Sequence, residues 1–203
     1  MSPSFHTAAI FALAGWSACL GFAADAAPAF KCPSPDKRFA LRLTPPNGGD
    51  AIDYKTELVE QASGKLVVDL GTAYPRHLEE TKLVWSANSK WVAYATRGDK
   101  QGDTSVYFWD GSAFNEVKLP DVLPHPQIQF RKGAGENVKN YGGAAAPVRW
   151  LKSGDLELSS DLMMLSRVDN RTYIGTVQFT ISFDKQHHAA VHTVGKTKTQ
   201  VED

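Results

Sequence analysis

Three stretches of this chain share one design: a large or rigid residue, a short polar segment, and a large apolar residue six positions on. They are Pro33-Ser34-Pro35-Asp36-Lys37-Arg38-Phe39, Trp85-Ser86-Ala87-Asn88-Ser89-Lys90-Trp91 and Trp150-Leu151-Lys152-Ser153-Gly154-Asp155-Leu156. Ser, Asn, Asp and Gly between two bulky residues mark a tight hairpin turn, because these residues tolerate or cap unusual backbone angles. The bulky residues then close adjacent strands against one common interior. A second turn follows each hook, in EQASGKLVVDL, FWDGSAFNEVKL and SFDKQHHAAVHTV, with the outer strand more polar. The units start at 33, 85 and 150, the second interval swollen by an insertion. Repeats of this size class, made of antiparallel strands, read as propeller-like blades.

The rest of the chain supports an all-β plan. Short runs rich in β-branched and aromatic residues alternate with turn residues: FALRL, KLVVDL, KLVW, WVAYAT, SVYFW, NEVKL, VRWL, LELSS, LMMLSRV, TYIGTVQFTISF and AAVHTV. In the longest, Tyr173, Gly175, Val177, Phe179, Ile181 and Phe183 share one face, opposite a largely polar row. RHLEETKLV is the nearest approach to an amphipathic helix and is too short to stand alone.

The hooks resemble the strand-turn-strand motif of WD40-like propeller repeats of the TolB and prolyl-oligopeptidase type. The first keeps Ser34, Pro35, Asp36 and Lys37. The second keeps Trp85, Ser86, Lys90, Val92, Ala93 and Tyr94, with Ala87 and Asn88 in place of Pro and Asp. The third keeps Trp150, Gly154 and the apolar strand after it. The resemblance covers nearly the whole chain beyond residue 27 and implies a scaffold; the hooks themselves carry no catalytic residues. Closed propellers have four to eight blades, so three units imply either an open or sandwich-like stack of antiparallel blades or a six-unit ring completed by a homodimer.

The first 26 residues read differently. Thr7 to Ala24 carries no charged side chain, and Ala24-Asp25-Ala26 places small residues where a signal peptidase reads. Residues 1–26 are expected to be a cleaved export signal, leaving no membrane span and a periplasmic or secreted product. Met1 to His6 holds no Lys or Arg, so only the α-amino group is positive there. Lipidation at Cys19 is the alternative, although Trp16 stands where such a signal has Leu. Cleavage leaves Cys32 as the one cysteine, which excludes an intramolecular disulfide and reads as a small buried hydrophobe. The expected domain then runs over 27–193, with a long loop insertion at 119–147 and a flexible tail at 194–203.

Lys and Arg number 22, as do Asp and Glu. That balance gives no reason to expect a nucleic-acid partner. His187, His188 and His192 lie close together, but on a strand His188 and His192 are about 13 Å apart, too far to share one ion. Asp99 and Asp103 lack the spacing of a calcium loop. No metal site and no cofactor are therefore expected. No Gly-x-Ser-x-Gly elbow occurs, and Glu79-Glu80 sits among Arg76 and Lys82 as a solvated face. Arg97-Gly98-Asp99 is too short a match to carry an adhesion role, and Asn170-Arg171-Thr172 is a glycosylation sequon in a turn.

The insertion is the place for a binding surface, since long loops carry function. Phe130, Arg131, Lys132, Lys139 and Tyr141 would give it a basic, aromatic-bearing edge suited to a protein or glycan. The expected function is that of an exported, non-catalytic binding or scaffold protein of the envelope or extracellular space. The alternative is a hydrolase whose set assembles only in the fold, around His125 or His188.

Overall fold

A computed structural model describes residues 30–46, 53–97 and 101–203. The proposed signal, Cys19, and Gly98 and Asp99 of the Arg-Gly-Asp triplet lie outside them. The described chain is all-β, with thirteen strands in two sheets that do not close. Among the described residues no helix is long and apolar enough to cross a membrane.

The strands fall into three successive meanders. The first is β1 (Phe30–Lys31), β2 (Phe39–Thr44), β3 (Tyr54–Glu60) and β4 (Leu66–Ala73), hydrogen-bonded in that order. The second is β5 (Lys82–Trp85), β6 (Trp91–Arg97), β7 (Gln101–Trp109) and β8 (Phe114–Val117). The third is β9 (Val138–Trp150), β10 (Leu156–Ser166), β11 (Thr172–Phe183) and β12 (Ala189–Val194). β13 (Lys198–Glu202) then pairs with the first half of β11, so the segment from 194 onward is not a loose tail. RHLEE belongs to a 3-10 turn, Pro75–Glu80.

The hooks explain the local folding. In the first, Ser34 N–H donates to Phe39 O at 2.8 Å, Phe39 N–H returns to Ser34 Oγ at 3.0 Å, and Ser34 Oγ–H reaches Asp36 Oδ1 at 2.6 Å. In the second, Ser86, Trp91 and Asn88 repeat the pattern at 2.9, 2.9 and 2.8 Å. Lys37 and Ser89 take the same left-handed position, at φ 59° each. The third hook closes one residue sooner, Leu151 N–H to Asp155 O, with Gly154 in the left-handed position. Leu151 has no hydroxyl to make the serine's bonds, and glycine takes that conformation without a Cβ penalty.

Consecutive meanders are stapled in the same way. The indole N–H of Trp85 donates to Cys32 O at 2.9 Å, and that of Trp150 donates to Val84 O at 3.0 Å. Each acceptor lies two residues before the preceding hook's first turn residue. A ring contact repeats too, Phe39 stacked on Trp85 at 6.3 Å and Trp91 tilted against Trp150 at 5.7 Å. Pro33 occupies the corresponding position of the first hook and has no N–H to donate.

The core is not one common interior but two clusters, one on each face of the middle meander. Val92, Tyr94, Tyr107 and Phe114 pack against Phe39, Leu41 and Leu58 of the first meander. Ala93, Val106 and Val117 pack on the opposite side against Leu156, Leu158, Phe179 and Ile181 of the third. Trp85 joins the first cluster, Trp91 and Trp150 the second, all three half-buried. Tyr94 Oη–H donates to Thr56 Oγ1 at 2.8 Å across the first interface, where burial pushes its phenol up to about 12. Cys32 is exposed rather than buried: it follows the edge strand β1, and only its carbonyl is engaged.

Candidate cleft between the second and third meanders

The insertion is shorter than its sequence implies. Residues 138–147 belong to β9, in antiparallel register with β10, so the loop proper ends at 137. That loop is fastened to the third meander. Gln127 and Gln129 N–H donate to Thr197 and Thr199 Oγ1, Ser166 Oγ–H donates to Ala134 O at 2.7 Å, and Arg167 N–H donates to Asn137 O. Ile128 and Pro126 lie over the bare backbone of Gly175, where a Cβ would meet either at 2.7 Å.

Halfway along, β9 also touches the second meander, pairing in parallel with β7 at Gln101↔Gly143 and Gly102↔Ala144. Gly143 lies so close to the backbone oxygen of Asp161 that any Cβ there would overlap it. The Asp161 carboxylate accepts from Ala144 N–H at 3.1 Å. With only Gly142, Gly143, Ala144 and Ala145 along this stretch, little side-chain volume fills the crossing. A cleft of about 400 Å³ results, walled by Gly102 and Asp103 of β7, by Asp121, Leu123 and His125 of the loop, and by Asn140, Ser160 and Leu162 of the third meander. A smaller cavity of about 230 Å³ shares Ala144, Ala145 and Asp161 and adds Glu79, Glu80 and Lys82.

The polar groups differ in their commitments. Lys118 Nζ pairs with Asp121 at 2.9 Å and holds that carboxyl below the usual carboxylate range. Glu80 pairs with His77 at 2.9 Å. Asp103 is exposed at the mouth. Ser160 is 2% exposed and shares the inward face of β10 with Leu158 and Leu162, opposite Ala145. Carboxylates, an imidazole, an amide and a buried hydroxyl around a bare backbone floor make a site for hydrogen-bonding a polar ligand.

The anticipated loop residues are not gathered in one place. Phe130 stacks on Tyr173 at 4.8 Å and is half-buried, so its ring serves the fold. Arg131 and Lys132 are exposed on the loop. Lys139 and Tyr141 lie on β9, exposed, with the ammonium 4.7 Å over the phenol ring. Tyr141 is the extra residue of a bulge, since Asn140 faces Met164 and Gly142 faces Met163.

The histidines of the last hairpin go separate ways. His187 stacks on Phe108 at 3.8 Å, His188 pairs with Asp184 at 2.9 Å, and His192 with Asp155 at 3.2 Å. Among the described residues no three His, Cys, Asp or Glu side chains are placed to hold a metal ion. Asp121, Asp161, Asn140 and Ser160 were not singled out from sequence. The available signal was the run Tyr-Gly-Gly-Ala-Ala-Ala-Pro, whose small residues leave room only once paired in a sheet. No family model and no curated protein matches the chain.

Proposed function

We propose that this protein is an exported, non-catalytic binding module that contacts a protein or glycan. Its working surface comprises the cleft at the β7–β9 crossing together with the exposed Arg131 and Lys132 of the loop and Lys139 and Tyr141 of β9. The supporting observation is the fastening of the 119–137 loop: it is clamped at both the Gln127–Gln129 and Ala134–Asn137 segments while its cationic side chains stay exposed. A rigid scaffold carrying a positioned loop is the usual plan of a recognition surface. The three hooks support a blade-like repeat of the WD40-like kind as that scaffold.

Deleting the loop would be a poor test, because Phe130, Ile128 and Pro126 fill space above β11. The variant R131E/K132E/K139E with Tyr141→Ala leaves that packing alone. It is expected to lose partners that the wild type retains in a pull-down and on a glycan array, with an unchanged melting temperature. Full retention of those partners would overturn the loop assignment. Intact mass of the exported product tests the export reading: a chain starting at Ala27 is expected, and an unprocessed or lipidated one refutes cleavage after Ala26.

A hydrolase is the second reading, favoured by His125 and Ser160 lining one cleft with Asp103, Asp121 and Asp161. Turnover of an ester or glycoside panel, abolished by His125→Ala and by Ser160→Ala, would establish it.

A further inference from the structure

We propose that the notch where the first meander meets the second binds a monocarboxylate with an apolar body, an arylalkanoate being the simplest member of the class. This is a second site: it shares no lining residue with the cleft at the β7–β9 crossing and does not rest on the reading of that cleft. The notch encloses about 380 Å³ between three hairpin ends: the first hook gives Arg38 and Phe39, the β3–β4 hairpin Lys65, Leu66 and Val67, and the β7–β8 hairpin Trp109. These ends are tied down. Gln61 N–H donates to Arg38 O at 2.7 Å, Glu60 N–H donates to Lys65 O at 2.9 Å, and the Asp110 carboxylate accepts from the Ser112 and Ala113 amides at 2.7 and 2.9 Å. The residues outside the described ones join these strands at the opposite end. There Phe30 faces Arg42, Thr44 faces Lys55 and Arg97 faces Gly102, whereas Phe39 with Glu60 and Trp91 with Phe108 mark the notch end.

Apolar surface and cations share the walls. Leu66 is 44% exposed and lines the notch with the half-buried Val67 and Trp109. The Arg38 guanidinium lies over the Phe39 ring at 4.8 Å and the Trp109 ring at 5.2 Å. Stacking engages the face of a guanidinium and leaves its N–H edge, in the plane, for an acceptor; that edge matches a carboxylate with two parallel bonds. Lys65, exposed on the same notch, adds a second cationic donor. The acids nearby already accept hydrogen bonds: Glu60 from Ser63 Oγ–H at 2.6 Å, Asp36 from Ser34 Oγ–H at 2.6 Å, and Asp110 from its own turn. Over the notch and the adjoining cavity of about 220 Å³, Arg38, Lys65 and Lys90 balance Asp36, Glu60 and Asp110, so a bare anion gains little from the field. The selective feature is a donor edge beside an apolar wall. A ligand without a carboxylate does not match the donors, and one without an apolar body leaves the wall wet.

The test is titration of the purified protein with 3-phenylpropanoate, followed by amide and indole resonances, with 3-phenylpropanamide and acetate as parallel probes. Saturable shifts confined to residues 38–39, 60–67 and 109–113 are expected with phenylpropanoate. The amide should bind roughly three- to fivefold more weakly, the scale of one exposed ion pair, and acetate should not saturate. Arg38→Gln should bring the acid down towards the affinity of the amide while leaving the amide nearly as it was, and Lys65→Gln should weaken the acid by a smaller factor. Both positions are exposed, so the melting temperature should stay close to that of the wild type. Shifts that are absent or scattered over the surface, equal affinity for acid and amide, or indifference of the acid to both Arg38→Gln and Lys65→Gln overturn the proposal.

Discussion

The middle and third meanders are built from the same four-strand plan but spend their side chains differently. β6 reads Trp-Val-Ala-Tyr-Ala, with Val92 and Tyr94 packed on the first meander and Ala93 on the third. β11 alternates, with Tyr173, Val177, Phe179 and Ile181 buried and Thr176, Gln178 and Thr180 turned outward. A strand covered on both faces carries a continuous apolar run; one covered on a single face alternates. Position in the stack, not strand type, therefore sets the pattern. The third meander's other departure, a loop laid over Gly175 instead of a neighbouring sheet, is also what encloses the cleft.

The sharpest way to break this comparison is in the packed rows. Phe179→Ala, in the cluster between the second and third meanders, is expected to lower unfolding stability by about 3–5 kcal/mol, whereas Thr176→Ala on the outer face of the same strand should change it by under about 0.5 kcal/mol. Chemical denaturation measures both; equal effects would mean that β11 is not one-sided.

Gly175→Ala comes next. Its Cβ collides with Ile128 and Pro126, so about 1–3 kcal/mol should be lost, with faster amide exchange in residues 126–137. Unchanged exchange there would show that the loop does not depend on that bare backbone.

Trp85→Phe and Trp150→Phe keep a ring and remove the indole donor. Each should cost about 0.5–1.5 kcal/mol, and the two losses should be similar if the junctions are equivalent. A large inequality in thermal denaturation would break the equivalence of the staples.

The smallest effect distinguishes the first hook from the second. Burial alone would raise the Asp36 carboxyl, but hydrogen bonds from Ser34, Arg38 and Ser89 and the Arg38 charge hold it below its ordinary value. A depressed folded value means stability present above the unfolded value near pH 4 and lost as pH falls through the folded one. The second hook has the uncharged Asn88 at that place. Asp36→Asn should therefore flatten the acid limb of stability against pH below about 4, leaving the neutral limb nearly parallel to wild type; an identical acid limb would remove Asp36 from the account.

How much of this was legible in the sequence follows from the same physics. The hooks were readable because their chemistry is local: a serine or glycine, a short acceptor and a left-handed residue lie within six positions. The alternating face of β11 was readable for the same reason. β3 was not legible as a strand because Tyr-Lys-Thr-Glu-Leu-Val-Glu reads as charged, yet its Glu57 is buried and held by Arg42 and Lys55 at 2.8 and 2.6 Å. Lys198–Glu202 looked like a tail because its partner is the distant first half of β11. Residues 138–147 looked like loop because glycine and alanine carry no strand signal, and only pairing with β10 and β7 organises them. The cleft was illegible for that reason: its walls come from four separate segments, 102–103, 121–125, 140–145 and 160–162, and its defining property is the side-chain volume that is missing.

Pro33 gives the assembly a direction and an end. An interface used twice in succession within one chain is one step from being used indefinitely between chains, since a head-to-tail contact that does not close grows into a filament. The tryptophan fastening that joins each unit to its predecessor has no donor at the leading unit, so the second chain in any such queue could not hook onto the first by the means the protein uses internally. A single imino acid thus sets the first unit apart from the two that follow it, which both carry the indole donor.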